Sequence, residues 1–119
     1  MGNQRGVAAE NLVAKYLVDH GHTIIQQNFH SKFGEIDILS AWRGQLIVTE
    51  VKARSTCLYG TPAEFVTKSK QQKIIRCLKH FLNMHPFWHT SPIRFDVASV
   101  IIDQRGARID IIEAAFEAN

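Results

Sequence analysis

The sequence predicts an α/β domain: a mixed β-sheet covered by helices, with elements in the order αβββαββ. Apolar residues recur at helical spacing in two segments, while five others show the alternation or the short continuous apolar runs of strands. Strands stand on both sides of the second helix, which makes the sheet mixed. With 119 residues, 45% hydrophobic and 21% charged, the chain is one ordinary domain over 1–119 with a single core, and no repeat or linker divides it.

The first helix runs from about Val7 to His20, because Ala9, Val13, Tyr16, Leu17 and His20 form one stripe and Gly21 supplies a stop. Glu10 lies on or beside that stripe, since Val13, Ala14 and Leu17 follow it by three, four and seven residues. A carboxylate placed there wants a partner. Thr23 to Phe29 reads as a strand, His30-Ser31-Lys32 as a polar link, and Gly34 to Leu39 with Leu46 to Lys52 as a hairpin turning on Arg43-Gly44. Ala53 to Val66, with Gly60-Thr61-Pro62 and no clear period, is a loop beside that hairpin, placed to gate or contact a substrate. Thr67 caps the second helix, whose buried stripe is Ile74, Ile75, Leu78, Phe81 and Leu82. Ile93 to Ile102 and Ala107 to Ile112 are the last strands, joined by a turn at Asp103 to Gly106. Arg94 and Asp96, two apart on one face, read as an ion pair.

The hairpin register concentrates the chemistry. If Arg43-Gly44 is a two-residue loop, Asp37 faces Glu50 and Glu35 faces Lys52. Those four side chains then share one face, and Ile36, Ile38, Thr49 and Val51 share the other. Opposed carboxylates about 5 Å apart repel by roughly 3 kcal/mol at an effective dielectric of ~20. That is large against a domain stability of about 5 to 15 kcal/mol. A divalent cation would offset it, and hard carboxylate oxygens favour Mg²⁺ or Mn²⁺ over Zn²⁺. Neutralisation by Lys52 alone is the simpler alternative.

Net charge is +3, unevenly spread: between Val51 and His80 there are seven Lys or Arg against the single acid Glu64. Arg54, Lys68, Lys70 and Lys73 therefore form a candidate phosphate-facing surface. Three lysines in the early turns of a helix oppose its positive end, and a nearby anion such as phosphate would reverse that cost. The segment after Ile102 is net acidic and faces elsewhere. No apolar run has the length of a membrane span and the start of the chain lacks the apolar core of a secretion signal, so a cytoplasmic protein is expected. Cys57 and Cys77 lack the spacing of a zinc site and read as free thiols. Pro86 breaks any continuous helix through His85 and His89.

Glu10 in a first helix, Gly34-Glu35-Ile36-Asp37 and Glu50-Val51-Lys52 resemble the PD-(D/E)xK nuclease superfamily, most closely the archaeal-type Holliday junction resolvases. Ile36 stands where the superfamily's name has proline. Nearly the whole chain, including Arg94-Phe95-Asp96-Val97 and Glu113-Ala114-Ala115-Phe116, is similar to the small bacterial YraN family. The resemblance implies a restriction-endonuclease-like fold and a metal-dependent endonuclease hydrolysing phosphodiester bonds of DNA, with branched or junction DNA as one substrate class. It implies Mg²⁺ (or Mn²⁺) on Asp37, Glu50, the Val51 carbonyl and Glu10, with Lys52 positioning or deprotonating the attacking water. Arg54, Lys68, Lys70 and Lys73 would contact DNA. A non-catalytic nucleic-acid-binding module is the alternative, and a homodimer would let one site per chain cut two strands.

Overall fold

The computed structural model describes residues 4–54 and 66–118, with side chains from Gly6 onward. In order these are α1 (Gln4–Asp19), β1 (Thr23–Ser31), β2 (Gly34–Trp42), β3 (Gln45–Arg54), α2 (Lys68–Met84), β4 (Ile93–Asp103) and β5 (Gly106–Phe116), with a 3-10 turn at Pro86–Trp88. The five strands form one sheet in the order β1-β2-β3-β4-β5. Only β3 and β4 run parallel among these neighbours, and α2 makes the crossover between them. The αβββαββ order and the mixed sheet agree with the sequence and with a restriction-endonuclease-like fold. Among the described residues, no helix is long and apolar enough to cross a membrane.

Local chemistry fixes the element ends. Gly21 adopts φ +96°, and His22 N–H reaches back to Leu17 C=O at 2.9 Å, a left-handed stop for α1. Arg43 and Gly44 both have positive φ, 50° and 78°, which is the two-residue turn whose twist matches a hairpin. At the start of α2 the Thr67 hydroxyl accepts the Lys70 N–H at 3.1 Å.

The sheet separates two apolar layers. Under α1, Ala9, Val13, Ala14 and Leu17 pack on Ile38, Ala98 and Val100. Under α2, Ile74, Ile75, Leu78 and Phe81 pack on Phe29, Ile36, Leu39, Leu46, Val48, Phe95 and Val97. Two expectations fail here. His30-Ser31 is not a polar link: both residues complete β1, pairing with Glu35 and Gly34, because an edge strand with an exposed face needs no apolar residues there. Ile36 and Ile38 do not share a face, since Ile36 belongs to the α2 layer and Ile38 to the α1 layer. The strand period breaks at Asp37, and Asn28, on β1 beside it, has φ 53°. The expected loop from Ala53 to Val66 is shortened at its start by β3, which runs to Arg54; residues 55–65, including Cys57, lie outside the described residues. Cys77 is a buried free thiol.

Candidate active site

The β2–β3 ladder holds the expected register from Trp42↔Gln45 to Ile38↔Thr49 and stops one pair short of Asp37 and Glu50. There a side chain replaces the main chain: Val51 N–H donates to Asp37 Oδ2 at 2.8 Å. In a strand the N–H and C=O of one residue point to the same edge, so the Val51 carbonyl faces the same gap between β2 and β3. Glu35 does not face Lys52 as expected. It pairs with His30 on β1, where Nδ1 and Oε2 lie 3.3 Å apart.

The gap opens on a cleft of about 330 Å³ lined by Gly6, Glu10, Glu35, Asp37, Glu50, Val51, Ala53 and Lys70. Asp37 is 8% exposed and Glu50 3%. Burial first, and then the hydrogen-bonded Glu50 carboxylate, push the Asp37 carboxyl up to about 9, against the pull of the Val51 N–H. Glu10 comes from α1; its Oε1 is buried without a hydrogen-bond partner, and Asn28 bonds its carboxyl. Burial raises the Glu10 pKa, the Asn28 bond counters this, and the charges of Glu35 and Glu50 add to the rise. Four acidic side chains from three elements, Glu10, Glu35, Asp37 and Glu50, thus share one cleft.

Lys70 supplies the cation nearest to them. Its Nζ lies 2.8 Å from Glu50 Oε2. Burial lowers the Lys70 pKa, but the bond and attraction of Glu50, with Asp37 and Glu35 behind it, raise it above its ordinary value. The sequence placed Lys70 on a phosphate-facing rim. The anion at the start of α2 is instead the protein's own Glu50.

The other sequence-derived residues distribute as follows. Lys52 is half-buried on β3, opposite Ser99 of β4, and does not line the cleft. Arg54 ends β3, half-buried, while Lys68 and Lys73 are exposed on the first turns of α2. Sequence reasoning missed Asn28 and the inward reach of Lys70. An asparagine inside a strand was the available signal for the first, since Asn is disfavoured there and tolerates positive φ.

Among the described residues, no three His, Cys, Asp or Glu side chains converge into a ready metal cage. The donor set nonetheless suits a hard divalent ion: two buried carboxylates in contact, a third with an orphaned oxygen, and a carbonyl facing them. A larger cavity of about 460 Å³ lies between α2 and the ends of β4 and β5, but its lining is mainly apolar, with Ile75, Leu78, Leu82, Phe95 and Phe116.

Comparison with known proteins agrees with this arrangement in extent. The model of the uncharacterised protein family UPF0102 matches residues 9–100, from the first helix through most of β4. A UPF0102 protein of Saccharophagus degradans is 38% identical over 117 residues, 98% of this chain and 96% of the relative. One of Legionella pneumophila is 35% identical over 118 residues, covering 99% and 98%, and one of Rhodococcus opacus 41% over 97 residues, covering 82% and 81%. The chain therefore belongs to the UPF0102 family, the family of the YraN proteins.

Proposed function

We propose that this protein is a metal-dependent endonuclease that hydrolyses phosphodiester bonds of DNA, with branched or junction DNA among its candidate substrates. One observation carries the proposal. Asp37 and Glu50 are buried in contact, the Asp37 carboxyl is pushed toward protonation, and the pair still opens to a cleft that Glu10 enters.

Asp37, Glu50 and the Val51 carbonyl, with Glu10, would hold Mg²⁺ or Mn²⁺. Such an ion, when bound, supplies Lewis acidity, acidifying a water and offsetting charge on the phosphoryl oxygens. Lys52, half-buried on β3 outside the cleft lining, would have to extend past Glu50 to position the attacking water or take its proton; a P–O bond to that water forms, the P–O bond to the leaving sugar oxygen breaks, and that oxygen takes a proton from solvent water. Exposed Lys68 and Lys73, with Arg54, meet the phosphates without reading sequence. A second copy would serve the opposite strand.

The test is incubation of the purified chain with labelled four-way junction, flap, duplex and single-stranded DNA in Mg²⁺ or Mn²⁺. Metal-dependent cleavage that drops by about 100-fold or more in Asp37→Asn and Glu50→Gln is expected. Absence of cleavage, or cleavage that survives both changes, overturns the proposal.

The Lys70–Glu50 pair favours a second function, a DNA-binding module that cuts nothing, because an ammonium already compensates one of the carboxylates. That module would bind DNA in a salt-sensitive way indifferent to Asp37 and Glu50.

A further inference from the structure

We infer that Lys70 is a built-in counterion for the carboxylate site, and that its pairing with Glu50 and the binding of a divalent cation exclude one another. The inference presupposes the divalent-ion site proposed above and assigns that site its control.

Three observations carry it. Glu50 is the more deeply buried member of the carboxylate pair, and Lys70 Nζ sits 2.8 Å from its Oε2, a close ion pair. A second cation on that carboxylate would lie within a few ångströms of the ammonium, in a pocket where water screens little. Next, Lys70 is the third residue of α2, in the turn where the helix dipole disfavours a cation. Glu50 offsets that cost and holds the side chain inward. Finally, the Lys70 side chain is 42% exposed, so its unbranched stem can carry the ammonium out to solvent without repacking the core. Without a metal, Lys70 keeps two buried carboxylates from standing uncompensated. With one, it is released to solvent beside exposed Lys73, one turn along α2.

Titration of the whole chain with Mn²⁺ by calorimetry tests this without reference to cleavage. Lys70→Met and Lys70→Gln should each bind Mn²⁺ about 10-fold more tightly than the wild type, within the range of ordinary site–site couplings. Lys70→Arg should bind as the wild type does. Lys15→Met, which removes one positive charge on α1 away from the cleft, should leave the affinity unchanged. Equal or weaker binding by Lys70→Met and Lys70→Gln overturns the inference while leaving the metal site standing. No Mn²⁺ binding by any of these proteins overturns the metal site itself, and the inference with it. The wild type gives an independent measurement: with ¹³C-labelled lysine, saturating Mg²⁺ should move the Lys70 Cε resonance toward that of an exposed lysine. A resonance that stays in place while Mg²⁺ binds also overturns it.

Discussion

Asp96 on β4 and the Asp37–Glu50 pair on β2 and β3 are all buried, at 1%, 8% and 3% exposure, yet their surroundings differ in kind. Asp96 is compensated on every side. Arg94 Nε and Nη2 each donate to it at 2.9 Å, and Ala114 N–H donates at 3.0 Å. That last bond closes an irregularity in the β4–β5 ladder, where Ala114 takes φ 51°. Arg94 in turn lies over the Trp42 ring at 5.3 Å. Among the described residues, Asp37 and Glu50 have one main-chain N–H and one lysine between them, and they border a cleft. Burial alone therefore separates neither class of site. A buried acid whose partners are complete is architecture. One whose partners are incomplete, beside open volume, is set up to receive something.

The sharpest way to break this contrast is to remove one acid from each region and compare the signs. Asp96→Ala leaves the Arg94 guanidinium, only 15% exposed, without its bidentate partner, and leaves the Ala114 N–H unpaired. A loss of about 3 to 5 kcal/mol is expected, seen as a lower midpoint in urea or thermal unfolding. A change below about 1 kcal/mol would put the two acids in one class.

Asp37→Asn should do the reverse. The Asn carbonyl can still accept the Val51 N–H, and its amide donates to Glu50 as the protonated carboxyl does, so the geometry stays while no proton has to be retained. The sign of the pH dependence follows from linkage. The Asp37 carboxyl is raised from 3.8 to about 9 in the fold, so over that window the unfolded chain has released a proton that the native chain retains. The wild type's stability contribution from Asp37 is thus complete below pH ~4 and falls as the pH rises toward ~9. Thermal scans of metal-free protein between pH 5 and 9 should show a declining Tm for the wild type and a flatter curve for Asp37→Asn. At pH 8 the variant should be the more stable by about 2 kcal/mol, roughly 8 °C. A variant less stable than the wild type at pH 8 would place Asp37 beside Asp96 as a structural acid.

How far the sequence carries this contrast depends on range. Arg94–Asp96 is legible because both partners sit on one strand two residues apart, a distance that alternation fixes. The Asp37–Glu50 approach is legible because Arg43-Gly44 is a short turn, and a short turn propagates register along a hairpin. The faces of Ile36 and Ile38 are not, since counting assumes an unbroken ladder and Asp37 ends it by taking the Val51 N–H with its side chain. Lys70 is the hardest case. Its amphipathic helix is plain in the sequence, but the 2.8 Å contact with Glu50 depends on how α2 lies across β2 and β3, which no local pattern encodes. Lys52, read from the Glu50-Val51-Lys52 motif, was the more visible lysine and stands outside the cleft lining.

The smallest expected effect tests whether α2 belongs to one region only. Thr67→Ala removes the hydroxyl that accepts the Lys70 N–H at 3.1 Å, so the first turn of α2 frays. The direct cost is about 1 kcal/mol, as for other caps. Because that turn carries the ammonium that compensates Glu50, Thr67→Ala and Lys70→Met should be non-additive in a double-mutant cycle by about 0.5 kcal/mol or more. Arg94 and Asp96 take nothing from α2, so Thr67→Ala with Asp96→Ala should add within about 0.5 kcal/mol. Coupling of the cap to Asp96 as strong as to Lys70 would mean that the two acid regions act as one unit, and the contrast between them would fail.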